Sequence, residues 1–213
     1  KICKKLPKLP SVLPAVPRII AIGDIHGDFT ALIICLKKAK VINHKHDWIG
    51  NNTFVIQIGD QIDGQRPNIP NYKNGEEIKI IHFMNNLHLQ AIKQNGAVLS
   101  LLGNHEIMNI LGDFNYSTQQ EKKDFLQFFP KTTISPTNAR SLTFLRGSDF
   151  TNYLAHTRKY IIKIGSCLFV HAGLLPHIAK KYSIDQMNKN VKDWMLNKIS
   201  TEKVKELLLK SSH

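Results

Sequence analysis

The sequence predicts an α/β protein, on three observations. Short β-branched runs alternate with stretches of helical periodicity, at the spacing of strand–helix–strand–helix–strand units. Each of the first three runs ends in glycine followed by an acid or amide: Gly23-Asp24, Gly59-Asp60 and Gly103-Asn104. Hydrophobic residues make up 42% of 213, enough for a buried core in a single domain.

The elements follow in order. Residues 1–17 are a basic arm spaced by Pro7, Pro10, Pro14 and Pro17, expected to lie as an extended strap on its own domain. The arm lacks the uninterrupted apolar stretch of a signal peptide. The main domain is expected over 18–213. It opens with a buried strand at Arg18–Ile22. A helix follows with Phe29, Leu32, Ile33 and Leu36 on one face and Asp28 as its N-cap. Thr53–Ile58 reads as the second strand. A polar loop then leads to a longer helix over Glu76–Asn95, stopped by Asn95-Gly96. Ala97–Leu102 reads as the third strand. Residues 107–150 are weaker in pattern and are expected to form a cap-like insertion, helical over Thr118–Phe129 and a loop over Thr132–Ser141. Tyr160–Ile164 and Cys167–Val170 predict a hairpin turning at Gly165-Ser166. Two helical stretches are expected from Lys189 on. Trp48 and Trp194 are expected to anchor the interior. His44, His46, His82, His88, His156 and His177 belong to no motif.

Composition narrows the class. No apolar run is long enough to cross a membrane, so a soluble protein without a membrane partner is expected. Cys3, Cys35 and Cys167 are odd in number and widely spaced, which suits free thiols in a reducing, cytoplasmic setting rather than a disulfide framework. The formal net charge is +13, but the lysines are scattered with no dense tract and no interleaved aromatics. That pattern reads as general composition and argues against a nucleic-acid footprint.

The chemistry sits just after the strands. Asp24 and His26 follow the first, Asp60 and Asp63 the second, Asn104 and His105 the third, and His171 the last run. Sites in open α/β sheets form outside the carboxyl ends of strands. Neighbouring strands would therefore gather three carboxylates, three imidazoles and an amide in one crevice. Such a group is costly to desolvate without cations to partner it. Mixed oxygen and nitrogen ligands suit Mn, Fe or Zn. A phosphate ester clamped between two such ions would be open to in-line attack by an activated water. Each residue alone also has a plainer reading: Asp and Asn as turn or cap residues, histidine as a hydrogen-bonded structural group, Glu106 as a helix-start carboxylate.

Gly-Asp-Ile-His-Gly at 23–27, Gly-Asp-Gln-Ile-Asp at 59–63, Gly-Asn-His-Glu at 103–106 and His-Ala-Gly-Leu at 171–174 carry a family resemblance. In this order they resemble the phosphoprotein phosphatases of the calcineurin-like metallophosphoesterase superfamily. The segment from Tyr153 through Arg158 to His171 looks closest to their bacterial and Shewanella-like branch. The resemblance covers about Arg18 to Pro176. It implies a sandwich of mixed sheets flanked by helices, and two divalent or transition metal ions (Mn, Fe or Zn). Asp24 and His26 would bind the first ion, Asp60 would bridge, and Asn104 and His171 would bind the second. His105 would be the general acid, held in its tautomer by Asp63. Asn104 and Arg66 would contact the substrate phosphate.

Two departures from the family pattern stand out. Most relatives carry arginine directly after the position of Asp63, whereas Gly64 and Gln65 here precede Arg66. The family's last metal-binding histidine and a phosphate-holding arginine lie further on than this chain extends, so its C-terminal part is expected to be incomplete. The implied function is a metal-dependent phosphomonoester hydrolase acting on phosphoproteins at Ser/Thr, with Tyr also open. The alternative is a small-molecule phosphohydrolase, such as a dinucleoside polyphosphate hydrolase. A nuclease and a non-catalytic scaffold are the two remaining readings.

Overall fold

A computed structural model describes residues 10–65 and 75–209. Two sheets face each other. One has the order β1–β6–β7, with β1 at Val12–Leu13, β6 at Ile161–Ile164 and β7 at Cys167–Val170. The other has the order β2–β3–β4–β5, with β2 at Ile19–Ile22, β3 at Phe54–Gln57, β4 at Ala97–Leu101 and β5 at Arg158–Lys159. All four strands of the second sheet run parallel. β6 and β7 form the expected antiparallel hairpin.

Side-chain alternation builds the layers. Ile20, Val55 and Val98 align in register and point to one face. There they meet Leu32 and Leu36 of α1 (Phe29–Lys38) and Ile80, Met84 and Leu87 of α2 (Glu77–Ala91). Their neighbours Ala21, Ile56 and Leu99 are likewise in register. Ile56 and Leu99 pack on the opposite face, against Ile162, Ile164 and Phe169 of the other sheet. A one-residue slip would exchange these faces, so burial on both sides fixes the register. Asp28 caps α1 by accepting the Ala31 N–H at 2.8 Å. Asn95 ends the helical run in a left-handed conformation.

The remaining helices form a third cluster. It contains α3 (Asn104–Leu111), α4 (Gln119–Asp124), α5 (Pro136–Phe144) and α6 (Asp149–Thr157). α7 (Pro176–Lys181), α8 (Ile184–Met195) and α9 (Lys205–Leu209) complete it. Phe125, Phe144, Phe150, Leu154 and the fully buried Trp194 are its centre. Trp48 is buried in the α1–α2 layer.

Several expectations are corrected. Thr132–Ser141 is not a loop: α5 begins at Pro136, capped by Ser135, whose Oγ accepts the Asn138 N–H. Its Ser, Pro, Thr and Asn residues mask the periodicity, but proline at N1 after a serine cap is a helix start. α8 begins at Ile184 rather than near Lys189, with a capping box between Ser183 and Gln186. α6 and the two-residue β5 were not anticipated. Part of the proline-spaced arm does not merely lie on the domain; Val12 and Leu13 pair with Lys163 and Ile164 as an outer strand. Residues 1–9 of that arm lie outside the described residues.

Candidate active site

Parallel pairing puts the carboxyl ends of β2, β3 and β4 side by side, so the turns after them meet. Ile25 and His26 donate their backbone N–H groups to Asp60 O at 2.9 Å each, and Gly27 donates to Gln61 O at 2.9 Å. The hairpin of the opposite sheet brings in His171 from the end of β7. Backbone conformation is unusual here. His26, Asp60 and Asp63 have φ of 47°, 54° and 66°. Left-handed residues other than glycine are uncommon and cluster where surrounding structure holds them for function. Gly59 has φ 105°, and a Cβ there would stand 2.5 Å from Gly103 N and 2.8 Å from His171 Nδ1. Only glycine fits that approach.

Three imidazoles share one plan. His26 Nδ1 is 3.1 Å from Ile62 O, His105 Nδ1 is 2.9 Å from Asp63 Oδ2, and His171 Nδ1 is 2.8 Å from Ile58 O. With Nδ1–H donated to an oxygen, each ring turns Nε2 inward. All three Nε2 atoms lie within 4 Å of the same Asp60 Oδ2, at 3.8, 3.9 and 3.3 Å. Asp24 Oδ2 is 3.6 Å from His26 Nε2, and Asn104 Oδ1 is 2.9 Å from His171 Nε2. Asp60 is buried, whereas the Asp24 carboxylate is half exposed, leaving the cluster open on that side.

Charge follows from this packing. Burial pushes the Asp60 carboxyl up, but the hydrogen bond and charge of His171 and the His105 backbone N–H (3.0 Å) outweigh it and hold it below the usual range. Burial lowers His171, and the Asp60 carboxylate more than reverses that, raising its pKa to about 9. His105 is raised on the same pattern: burial opposes the imidazolium, and its hydrogen bond to Asp63 with the charge of Asp60 prevails.

Behind the cluster lies a buried frame. Asp63 Oδ2 is held by His105 and by Asn109 Nδ2 at 2.6 Å; its Oδ1 accepts from Ser117 Oγ and from Arg140 Nη2 at 2.9 Å. Arg140, fully buried, also grips Glu77 through Nη1 at 2.7 Å and Nη2 at 3.1 Å, and Asn109 Oδ1 through Nε at 2.7 Å. Glu77 in turn accepts the Asp63 N–H at 2.7 Å. Glu106 takes the N–H groups of Asp60, Gln61 and Gly103 at 2.9, 2.8 and 2.7 Å. The plainer reading of Glu106 as a helix-start carboxylate therefore covers only part of what it does: it also fixes the turn that carries Asp60. Glu121 holds the Gly64 N–H at 2.9 Å; burial, with Glu77 nearby, pushes its carboxyl up to about 7. Sequence reasoning missed Arg140, Glu77, Asn109, Ser117 and Glu121. The one local signal was Ser135-Pro136, which starts the helix that carries Arg140.

The structure thus brings Asp24, His26, Asp60, Asp63, Asn104, His105 and His171 together. Arg66 lies outside the described residues. Two overlapping triplets have ligand atoms within 4.8 Å of one another: His26, Asp60 and His105; and Asp24, Asp60 and His171. The donor set fits divalent cations. His171 Nε2 faces two oxygen acceptors while Nδ1 faces a third, so a proton occupies a position where a cation would satisfy Asp60, Asn104 and His171 at once.

Comparison with known proteins agrees with this geometry. The calcineurin-like phosphoesterase family model matches residues 17–211. Shewanella-like protein phosphatase 2 of Arabidopsis thaliana is 31% identical over 212 residues, covering 84% of this chain and 51% of the relative. Shewanella-like protein phosphatase 1 of Plasmodium berghei is 34% identical over 176 residues, covering 80% of this chain and 42% of the relative. The chain thus spans about half the length of the curated relatives it matches. A cold-active protein tyrosine phosphatase superposes with a TM-score of 0.73 at 24% identity, over 93% of this chain and 53% of that one, and supports the fold. With its turns converging on Asp60 and its relatives in the Shewanella-like branch, the chain belongs to the calcineurin-like phosphoesterase family.

Proposed function

We propose that this chain carries the catalytic core of a metal-dependent phosphomonoester hydrolase whose substrates are phosphoproteins. The observation that carries this reading is the convergence of three imidazole Nε2 atoms, from three separate turns, on one buried Asp60 oxygen. The curated relatives named as protein phosphatases support the substrate class. Asp24, His26, Asp60, Asn104 and His171 would hold two divalent ions, and the mixed oxygen and nitrogen set favours Mn, Fe or Zn. When bound, such ions neutralise phosphate charge and lower the pKa of water.

The protein's own contribution is orientation and proton transfer. Asp60 stays ionised because His171 and the His105 N–H stabilise its carboxylate. Asp63 accepts His105 Nδ1–H and so turns Nε2 toward the crevice, where it can protonate a leaving oxygen as general acid. Asn104 Oδ1 is engaged by His171 and one N–H of its Nδ2 reaches Met108 Sδ at 3.7 Å, which leaves the other amide N–H for a phosphate oxygen. Arg66 is the second phosphate contact in this reading. Cys35 and Cys167, exposed free thiols, suit a reducing compartment.

The test is turnover of the Mn²⁺-loaded protein on phosphoserine, phosphothreonine and phosphotyrosine peptides, p-nitrophenyl phosphate and a dinucleoside polyphosphate. Phosphopeptides should be hydrolysed, and Asp60→Asn should lower turnover by more than the roughly 10–100-fold typical of groups that only support a ligand. Wild-type turnover in Asp60→Asn, or preference for the dinucleotide, would overturn the assignment.

A further inference from the structure

Helix α3 has an inner and an outer side. His105, Glu106, Ile107, Asn109 and Ile110 are buried, whereas Asn104 and Met108 are partly exposed and Leu111 is exposed. Asn104 and Met108 stand one helical turn apart, the spacing at which side chains on one face meet. The Asn104 Nδ2 donates toward Met108 Sδ at 3.7 Å, while Asn104 Oδ1 lies 2.9 Å from His171 Nε2. A thioether therefore touches the amide whose other N–H is assigned above to the substrate phosphate.

Met108 differs from the other methionines of the chain. Met84 is 1% exposed in the α1–α2 layer, and Met187 and Met195 are each 1% exposed in the helical cluster. A solvent-borne oxidant reaches a partly exposed thioether far sooner than one enclosed by packed side chains. With hydrogen peroxide as oxidant the reaction balances. A sulfur lone pair attacks one peroxide oxygen and the O–O bond breaks. The departing hydroxide takes the proton from the transferred oxygen and becomes water. Sulfur is oxidised by two electrons to the sulfoxide, and the peroxide is reduced by two.

The product changes what Asn104 faces. A thioether is a weak acceptor, whereas a sulfoxide is polar. Its oxygen, bonded to Sδ, comes within hydrogen-bond reach of Asn104 Nδ2. There it competes with a phosphate oxygen for the amide and sets a second negative end of a dipole beside the anion. Because Met108 lies on the outer side of α3, the added oxygen does not enter the packed core.

We propose that Met108 is an oxidation site through which a peroxide weakens phosphate binding, reversibly, at Asn104. This rests on the phosphate contact of Asn104 stated under the proposed function.

The full chain in chelator is treated with hydrogen peroxide and then dithiothreitol, which returns oxidised thiols, and peptide mass mapping follows the four methionines. Met108 should be oxidised at least about tenfold faster than Met84, Met187 and Met195, as exposure requires. The oxidised protein is then loaded with Mn²⁺, titrated with inorganic phosphate and assayed on a phosphopeptide. Phosphate should bind about tenfold more weakly, with a similar rise in KM, as for loss of one hydrogen bond to a charged group. The melting temperature should not move. Methionine sulfoxide reductases with dithiothreitol should restore phosphate affinity. Met108→Leu keeps the apolar volume and should abolish the peroxide response. If unoxidised protein binds phosphate but does not hydrolyse phosphopeptides, the proposed function falls, while the mass map and the phosphate titration still decide the oxidation site. Oxidation of Met108 no faster than of the buried methionines, phosphate affinity unchanged after full oxidation of Met108, or an unoxidised protein that binds no phosphate would each overturn it.

Discussion

Arg140→Met tests whether the frame behind the active site works as described. The guanidinium is fully buried and makes four hydrogen bonds of 2.7–3.1 Å to Asn109, Glu77 and Asp63. Methionine preserves much of the side-chain length but takes from Asp63 and Glu77 the guanidinium they share, with His105 still beside Asp63. Removing one partner from a buried ion pair costs about 3–5 kcal/mol. In a domain of this size each kcal/mol moves the melting temperature by about 2–4 °C, so a fall of about 6–20 °C is expected. Scanning calorimetry and urea unfolding measure it. Asp63 also loses a restraint on the oxygen opposite the one that holds His105. Turnover should therefore fall about 10–100-fold, chiefly in kcat, as for other groups that orient a functional side chain. Adding Glu77→Gln removes one of the stranded charges and should recover part of the stability, giving a coupling energy of about 1 kcal/mol or more. A variant within about 1 kcal/mol of the parent, with parent turnover, would refute the reasoning, because no other cation is seen to bridge Asp63 and Glu77 among the described residues.

Three further expectations follow from the site. His105→Asn should lower kcat on phosphopeptides by about 10²–10⁴-fold, the range of general acid catalysis, and lower it less on p-nitrophenyl phosphate, whose leaving oxygen departs without a proton; equal losses would remove the acid role. A Cβ added at Gly103 would overlap Asp60 Oδ1 and its backbone N, so Gly103→Ala should weaken Mn²⁺ binding in calorimetric titration, and unchanged affinity would contradict the close approach of these turns. In chelator, His171 has a folded pKa of about 9, above its ordinary 6.5; its stabilising effect is complete below pH 6.5 and fades as pH rises through 9. Metal affinity should rise over the same window, because the incoming ion takes the proton's place on Nε2, and a flat pH profile of affinity would exclude that exchange.

The parts of this protein that could be read along the chain are those whose cause is local. Ile20, Val55 and Val98 announce strands by β-branching, Asp28 announces a helix by its cap, and Gly23-Asp24, Gly59-Asp60 and Gly103-Asn104 announce ligand-bearing turns by residue type and order. Arg140 stayed hidden because its partners Asp63 and Glu77 stand 77 and 63 residues away and its own helix is rich in turn formers. Glu106 looked like a helix-start carboxylate because its three N–H donors include Asp60 and Gln61, about 45 residues earlier. β5 is two residues long, too short for any periodicity, and exists because Ser100 and Leu101 offer it an edge.

By itself, then, the sequence determined the α/β layering and the set of groups offered to the crevice, since alternation and turn chemistry act over a few residues. Tertiary structure alone decided how those groups are oriented, through Nδ1 contacts to Ile58, Ile62 and Asp63, and which buried charges meet, as Arg140 meets Asp63 and Glu77. Charge balance in an interior depends on which side chains meet across the fold, and contacts of that kind leave no periodic trace along the chain.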